Sequence, residues 1–242
     1  MRAVYLDLDG TLLGPGGSVL AGPGGAPSDA GARALMLLRE REVPVVLVSG
    51  RSRMRLETTA LLLGADGILP ELGACDCGYP APPGVTVHDA IATTGIPAAL
   101  LEREPGLEVH PAAQWGREGS HVYRGTASPD AAAWVAERSA GALRLADNGR
   151  VTGGNVFHLL PAAASKGAAV ATDIARRGLD PAACLAVGDS AEDAAMAGHV
   201  GRFALVRNGA DADPALAGRM PWITSAPYGA GVLEAVLEWL GP

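Results

Sequence analysis

Residues 2–11 read Arg-Ala-Val-Tyr-Leu-Asp-Leu-Asp-Gly-Thr. A short apolar run stops abruptly at two aspartates and a glycine, as a buried β-strand does when it ends in a turn. The pattern recurs. Val43 to Val48 runs into Ser49-Gly50-Arg51, Gly67 to Leu69 is a third short run, and Leu185 to Val187 ends at Gly188-Asp189. Phe203 to Val206 is another. Helical patterns fill the intervals. Ser28 is the expected N-cap of a helix reaching about Arg41, and further helices are predicted over 53–63, 166–177, 191–197 and 229–240. Apolar strands alternating with helices predict an α/β fold, a Rossmann-like parallel sheet covered on both faces. Residues 14–27, with two copies of Gly-Pro-Gly-Gly, are expected to form a loop or small hairpin.

The texture changes after about Gly78. Pro, Gly and β-type stretches at 85–88, 107–110 and 121–124 precede a helix near 128–139 and strands near 143–146 and 155–160. This predicts an inserted α+β cap over 78–160, with a catalytic core made of 1–77 and 161–242.

Composition narrows the function. The chain has 242 residues with a formal net charge of −7, which argues against a nucleic-acid partner that needs a basic face. A phosphate substrate is compatible, because a metal ion reverses the field locally. The longest apolar runs are too short to span a bilayer, so no membrane partner is expected. Acids stand where a signal peptide would be apolar, and a cytoplasmic location is expected. Three cysteines, Cys75, Cys77 and Cys184, make neither a disulfide framework nor a zinc site and are expected to be packing residues.

Asp7 and Asp9 flank Leu8, and strand alternation puts both carboxylates on one side. At the carboxyl end of a parallel strand they stand where such sheets bind ligands. A turn with solvated acids explains the pair equally well. Ser49-Gly50 offers a hydroxyl and free backbone N–H groups suited to a phosphate oxygen, although a plain N-cap for the next helix is the more common use of Ser. Lys166 is the only lysine, beside 18 arginines. A site that kept Lys needs a compact point charge rather than a planar fork. In Gly188-Asp189-Ser190-Ala191-Glu192-Asp193, Ser190 and Asp193 have capping-box spacing. Asp189 is left over, free to join Asp7 and Asp9 in an all-oxygen, magnesium-type site.

These motifs, D-x-D-G-T, S-G, a lone K and G-D-S-x-x-D, come in one order. The chain resembles the haloacid dehalogenase superfamily of phosphatases over both core segments. The insert resembles the α/β cap of the sugar-phosphatase branch. Glu71-Leu72-Gly73-Ala74 and Thr152 to Leu159 are similar to segments of mannosyl-3-phosphoglycerate phosphatases, with Leu72 and Asn155 replacing Asn and Arg. The resemblance implies that Asp7 is a nucleophile forming an aspartyl-phosphate and that Asp9 is the general acid and base. It implies Mg²⁺ held by Asp7, the backbone carbonyl of Asp9 and Asp189, with Asp193 in support. It also implies phosphate binding by Thr11, Ser49, Gly50 and Lys166. Glu192 departs from the family, which usually has Asn there.

A phosphorylated sugar or glycoside is therefore the expected substrate, with a sugar phosphomutase or a non-catalytic sugar-phosphate sensor as alternatives. Arg117, Arg124 and His158 are the expected cap contacts to it. Trp115, His121 and Tyr123 are further candidates, while the alternative makes Trp115 and Tyr123 core of the small lobe and the arginines its solvated face.

Overall fold

The computed structural model describes residues 2–114, 116–151 and 154–241. The chain divides into two compact units, one of residues 1–49, 56–69 and 166–242, the other of 50–55 and 70–165.

The first unit is built on a five-stranded parallel sheet. Its strands are β1 (Val4–Asp7), β2 (Val45–Val48), β3 (Gly67–Leu69), β8 (Leu185–Gly188) and β9 (Arg202–Leu205), in the order β3-β2-β1-β8-β9. Alternation divides the side chains between two layers. Val4, Leu6, Val45 and Leu47 pack with Ala34 and Leu38 of α1 (Ala30–Glu40), Leu56 of α2 (Arg53–Leu63) and Val232 and Val236 of α10 (Tyr228–Leu240). Tyr5, Val46, Val48 and Ala186 face the other way, against Val170 and Ile174 of α6 (Lys166–Arg177). Burying both faces is why these strands are apolar throughout. Helix α1 starts one residue later than expected, with Asp29 at the N-cap, while Ser28 Oγ accepts from Ala30 N at 3.4 Å. Residues 14–27 form two short 3₁₀ turns bounded by backbone bridges Gly14–Ser18 and Ala21–Pro27.

The second unit has a four-stranded antiparallel sheet, order β4-β5-β7-β6, from β4 (Leu107–Val109), β5 (His121–Gly125), β6 (Leu143–Val151) and β7 (Gly154–Pro161). Tyr123, Leu145, Phe157 and Leu159 pack against α3 (Val87–Ala92), α4 (Ile96–Arg103) and α5 (Ala131–Arg138). Residues 85–88 were expected to be extended, but α3 begins there because Thr86 caps it, its hydroxyl accepting from Asp89 N at 3.0 Å. Helix α4 was not predicted; Pro97 opens it after Gly95, which has φ 71°. The short helices α7 (Ala191–Ala194), α8 (Arg207–Ala212) and α9 (Pro214–Ala217) complete the first unit.

Candidate active site

Three adjacent strands end together. Asp7 closes β1 and pairs in register with Val48, the residue before Ser49. Gly188 closes β8, and Asp189 follows it. Asp7, Ser49 and Asp189 thus stand at the carboxyl edge of the sheet, where open parallel sheets bind ligands. Lys166 opens α6 on the Tyr5 face, the face to which alternation assigns Asp7.

The side chains converge. Lys166 Nζ donates to Asp7 Oδ1 at 2.6 Å and to Asp193 Oδ1 at 2.5 Å, and all three residues are buried. Asp193 has the capping role that its spacing suggested and, in addition, a bond to Lys166. Its Oδ2 completes a capping box with Ser190, accepting from Ser190 N at 3.0 Å and Ser190 Oγ at 2.6 Å, while its Oδ1 takes the lysine. Thr11 is buried and donates its hydroxyl to Asp189 Oδ1 at 3.3 Å. Asp9 lies past the end of β1 and is exposed. Glu192 is half-buried beside the fully buried Asp193.

Glycines permit this closeness. Gly10 has φ 93°, and a Cβ there would fall 2.3 Å from Asp189 Oδ2. At Gly209 a Cβ would lie 2.2 Å from the Asp189 carbonyl oxygen.

The electrostatics are unbalanced. Asp7, Asp189 and Asp193 bring carboxylate oxygens within 4.8 Å of one another, with the single lysine to offset them. Burial pushes the Asp7 carboxyl up to about 7, Asp193 adds to the rise, and Lys166 only partly opposes it. Burial likewise takes Asp189 up to about 8, reinforced by Asp7 and Asp193. Burial alone would lower Lys166, but Asp193 and Asp7 outweigh it and hold the ammonium above the usual lysine range. Asp7 Oδ2 is buried with no hydrogen-bond partner among the described residues. An excess of buried negative charge and an orphaned carboxylate oxygen fit a small, hard divalent cation with oxygen ligands.

The second unit has its own buried polar centre. Glu71 is fully buried. Its Oε1 accepts from Glu118 N at 2.8 Å, and its Oε2 from Gly119 N at 3.1 Å, Ser120 N at 2.9 Å and Ser120 Oγ at 2.9 Å. Arg117 Nε pairs with the same Oε2 at 3.2 Å. Arg117, expected to reach a substrate anion, is instead buried and engaged. Nη1 donates to Gly50 O at 3.0 Å and Nη2 to Ser120 Oγ at 2.8 Å, with His158 Nδ1 3.2 Å from Nη2. His158 is itself buried. Arg124 bonds Glu108 Oε1 across the strand pair at 2.5 Å. Tyr123 is core, and His121 stacks on His88 with ring centroids 3.9 Å apart. Trp115, Thr152 and Gly153 lie outside the described residues. Sequence reasoning did not single out Asn208, whose Nδ2 donates to the carbonyl of Gly10 at 2.7 Å. The Asn208-Gly209 pair just past the last strand was the available signal.

No family model matches the chain. Two curated proteins named phosphoglycolate phosphatase align over nearly its whole length. The one from Methanococcoides burtonii is 27% identical, covering 98% of this chain and 95% of its own. The one from Methanothermobacter thermautotrophicus is also 27% identical and covers 100% of both. Among solved structures, the sucrose-phosphatase of Synechocystis superposes with a TM-score of 0.69 at 19% identity, covering 99% of this chain and 98% of its own. A haloacid dehalogenase-like hydrolase from Bacteroides thetaiotaomicron gives 0.68 at 17% identity, covering 97% and 98%. The ordered motifs, the parallel core with an inserted antiparallel sheet and the full-length relatives agree: the chain shares the fold of haloacid dehalogenase-like hydrolases and is similar over its whole length to curated phosphatases.

Proposed function

We propose that the chain is a Mg²⁺-dependent phosphomonoester hydrolase acting on a small phosphorylated metabolite, with Asp7 as nucleophile. The observation that carries this is the state of the Asp7 carboxylate. One oxygen is held by Lys166 at 2.6 Å, while the other is buried without a partner beside Asp189 and Asp193. Asp7, Asp189 and the backbone carbonyl of Asp9 would hold the cation, with Asp193 in support. Mg²⁺, when bound, supplies the positive charge that lets an anionic carboxylate approach an anionic phosphate.

The chain's own residues supply the steps. Asp7 attacks phosphorus, forming an acyl-phosphate as the ester P–O bond breaks. Asp9 gives a proton to the departing oxygen. Asp9 then takes a proton from water, whose oxygen attacks phosphorus. The bond to Asp7 breaks, and inorganic phosphate leaves. Lys166 steadies Asp7 and the phosphoryl oxygens. Ser49 and the Gly50 backbone serve phosphate in this reading. Residues 78–160 act as the cap that selects substrate, with Arg124 and His158 as contacts.

The relatives named phosphoglycolate phosphatase favour a small phosphorylated acid as substrate. The cap's likeness in fold to a sucrose-phosphatase keeps sugar phosphates beside it. The test is phosphate release from 2-phosphoglycolate and a panel of sugar phosphates, with Mg²⁺ and with EDTA. Release from a monophosphate separates a hydrolase from a phosphomutase. The reading requires that folded Asp7→Asn release no phosphate; wild-type turnover by that variant rejects it.

A further inference from the structure

We infer that Asn208 is a positioning residue for Asp9. The inference rests on the acid and base role proposed for Asp9, and it concerns a residue on the far side of the fold's last strand. Asn208 is the second residue of α8. Its Nδ2 donates to the carbonyl of Gly10 at 2.7 Å, across a sequence separation of 198. Its Oδ1 accepts from Tyr228 N at 2.8 Å. The amide orientation is unambiguous, because a backbone carbonyl only accepts and a backbone N–H only donates.

Both partners need this side chain. Tyr228 N–H is among the first amides of α10, where Pro227 occupies the N-cap and provides no side-chain cap. Gly10 sits at φ 93° between Asp9 and Thr11. Further bonds hold that turn: Gly10 N to Leu13 O at 3.1 Å, Thr11 N to Leu8 O at 3.2 Å, Leu13 N to Leu8 O at 2.8 Å, and Thr11 Oγ1 to Asp189 Oδ1 at 3.3 Å. The Asn208 and Asp189 bonds tie this turn to elements outside the loop itself. Asn208 therefore ties the Gly10–Thr11 peptide, one residue beyond Asp9, to the end of β9 and the start of α10. A general acid works only when its oxygen is held close to the leaving group. Loops supply that precision only when other elements brace them.

A positioning role differs measurably from a structural one. Protonation of the leaving oxygen matters for an alkyl phosphate such as 2-phosphoglycolate and little for p-nitrophenyl phosphate, whose leaving anion is stable. The kcat/KM value ends at formation of the phosphoenzyme, so it reports this step alone. It is measured at saturating Mg²⁺ on both substrates for Asn208→Asp, Asn208→Ala and Asp9→Asn. The Asp variant keeps an acceptor for Tyr228 N but repels the Gly10 carbonyl; the Ala variant loses both bonds. The ratio of the two kcat/KM values comes from one preparation, so partial unfolding cancels. The expected result is a ratio at least about tenfold lower in both Asn208 variants, in the same direction as in Asp9→Asn. A ratio unchanged in the Asn208 variants but lowered in Asp9→Asn overturns the positioning role and leaves the proposed mechanism standing. A ratio unchanged in Asp9→Asn overturns the acid role itself, and the inference with it.

Discussion

Glu71→Gln is the most informative test of how the second unit is held together. The substitution is isosteric, so any cost is electrostatic and directional. The carboxylate accepts four hydrogen bonds, three of them on Oε2, which also faces Arg117 at 3.2 Å. Glutamine has one acceptor oxygen. It best serves the Oε2 side, which leaves its NH₂ facing the Glu118 N–H and strands that donor. An unsatisfied buried N–H costs about 1–3 kcal/mol. Arg117 then keeps its charge with no counter-ion, although it is 8% exposed. Breaking a buried pair by removing one partner costs about 3–5 kcal/mol. The two effects overlap, so the expected loss is about 3–5 kcal/mol, a large part of a typical 5–15 kcal/mol. For a chain of this size that corresponds to a melting temperature lower by roughly 6–20 °C. The assay is urea unfolding followed by circular dichroism, with Arg117→Met and the double variant to close a thermodynamic cycle. Because Glu71 retains its backbone donors when Arg117 is lost, Arg117→Met is expected to cost less than Glu71→Gln. A Glu71→Gln protein within 1 kcal/mol of wild type refutes the reasoning.

Further outcomes follow from the same geometry. Asp7 and Asp189, held up to about 7 and 8, bind more protons folded than unfolded. Metal-free protein therefore loses stability as pH rises from about 4 to 8, and Mg²⁺ binding displaces protons. Mg²⁺ affinity, read by calorimetry, should weaken about tenfold per pH unit below 7 for each proton displaced; pH-independent affinity contradicts the site. Gly10→Ala forces a Cβ to within 2.3 Å of Asp189 Oδ2 at φ 93°. It should lower Mg²⁺ affinity at least tenfold by calorimetry and cost about 1–3 kcal/mol in urea unfolding. His121 is held down to about 4 by burial and by His88, with Arg117 adding to the fall and Asp89 opposing it. The unfolded chain binds this proton first, so stability is lost as pH falls from 6.5 through 4, by roughly 1–2 kcal/mol given its partial exposure. His121→Gln should flatten that part of the stability–pH curve; an unchanged slope places the acid sensitivity elsewhere.

The core was legible in the sequence because its signals are local. A strand buried on both faces must be apolar along its length. A chain that stops such a strand at Asp7, at Ser49 and at Asp189 announces three chemical groups at sheet ends. The helix over 166–177 and the strand over 67–69 were read to the residue, since Lys166, Gly67 and their neighbours carry clear periodicity and breaks. The capping box of Ser190 and Asp193 was legible from its spacing. Helix α3 was not, because the β-branched residues of 85–88 point to a strand until the Thr86 cap is seen.

What only the tertiary structure decided is which partners the polar side chains have. Local sequence places Arg117 on a polar stretch, but not the buried Glu71, 46 positions earlier, that holds it. It gives Asp193 a cap, but not the lysine at 2.5 Å that makes it part of the acidic centre. Asn208 and Gly10 meet across a sequence separation of 198. Such contacts depend on strand order: β1 lies between β2 and β8, and β8 pairs with β9, so the loops after those strands converge at one edge. Periodicity reports which face of a segment is buried. It carries no information on which distant segment buries it, and the proton affinities of Asp7 and Asp189 follow from that second fact alone.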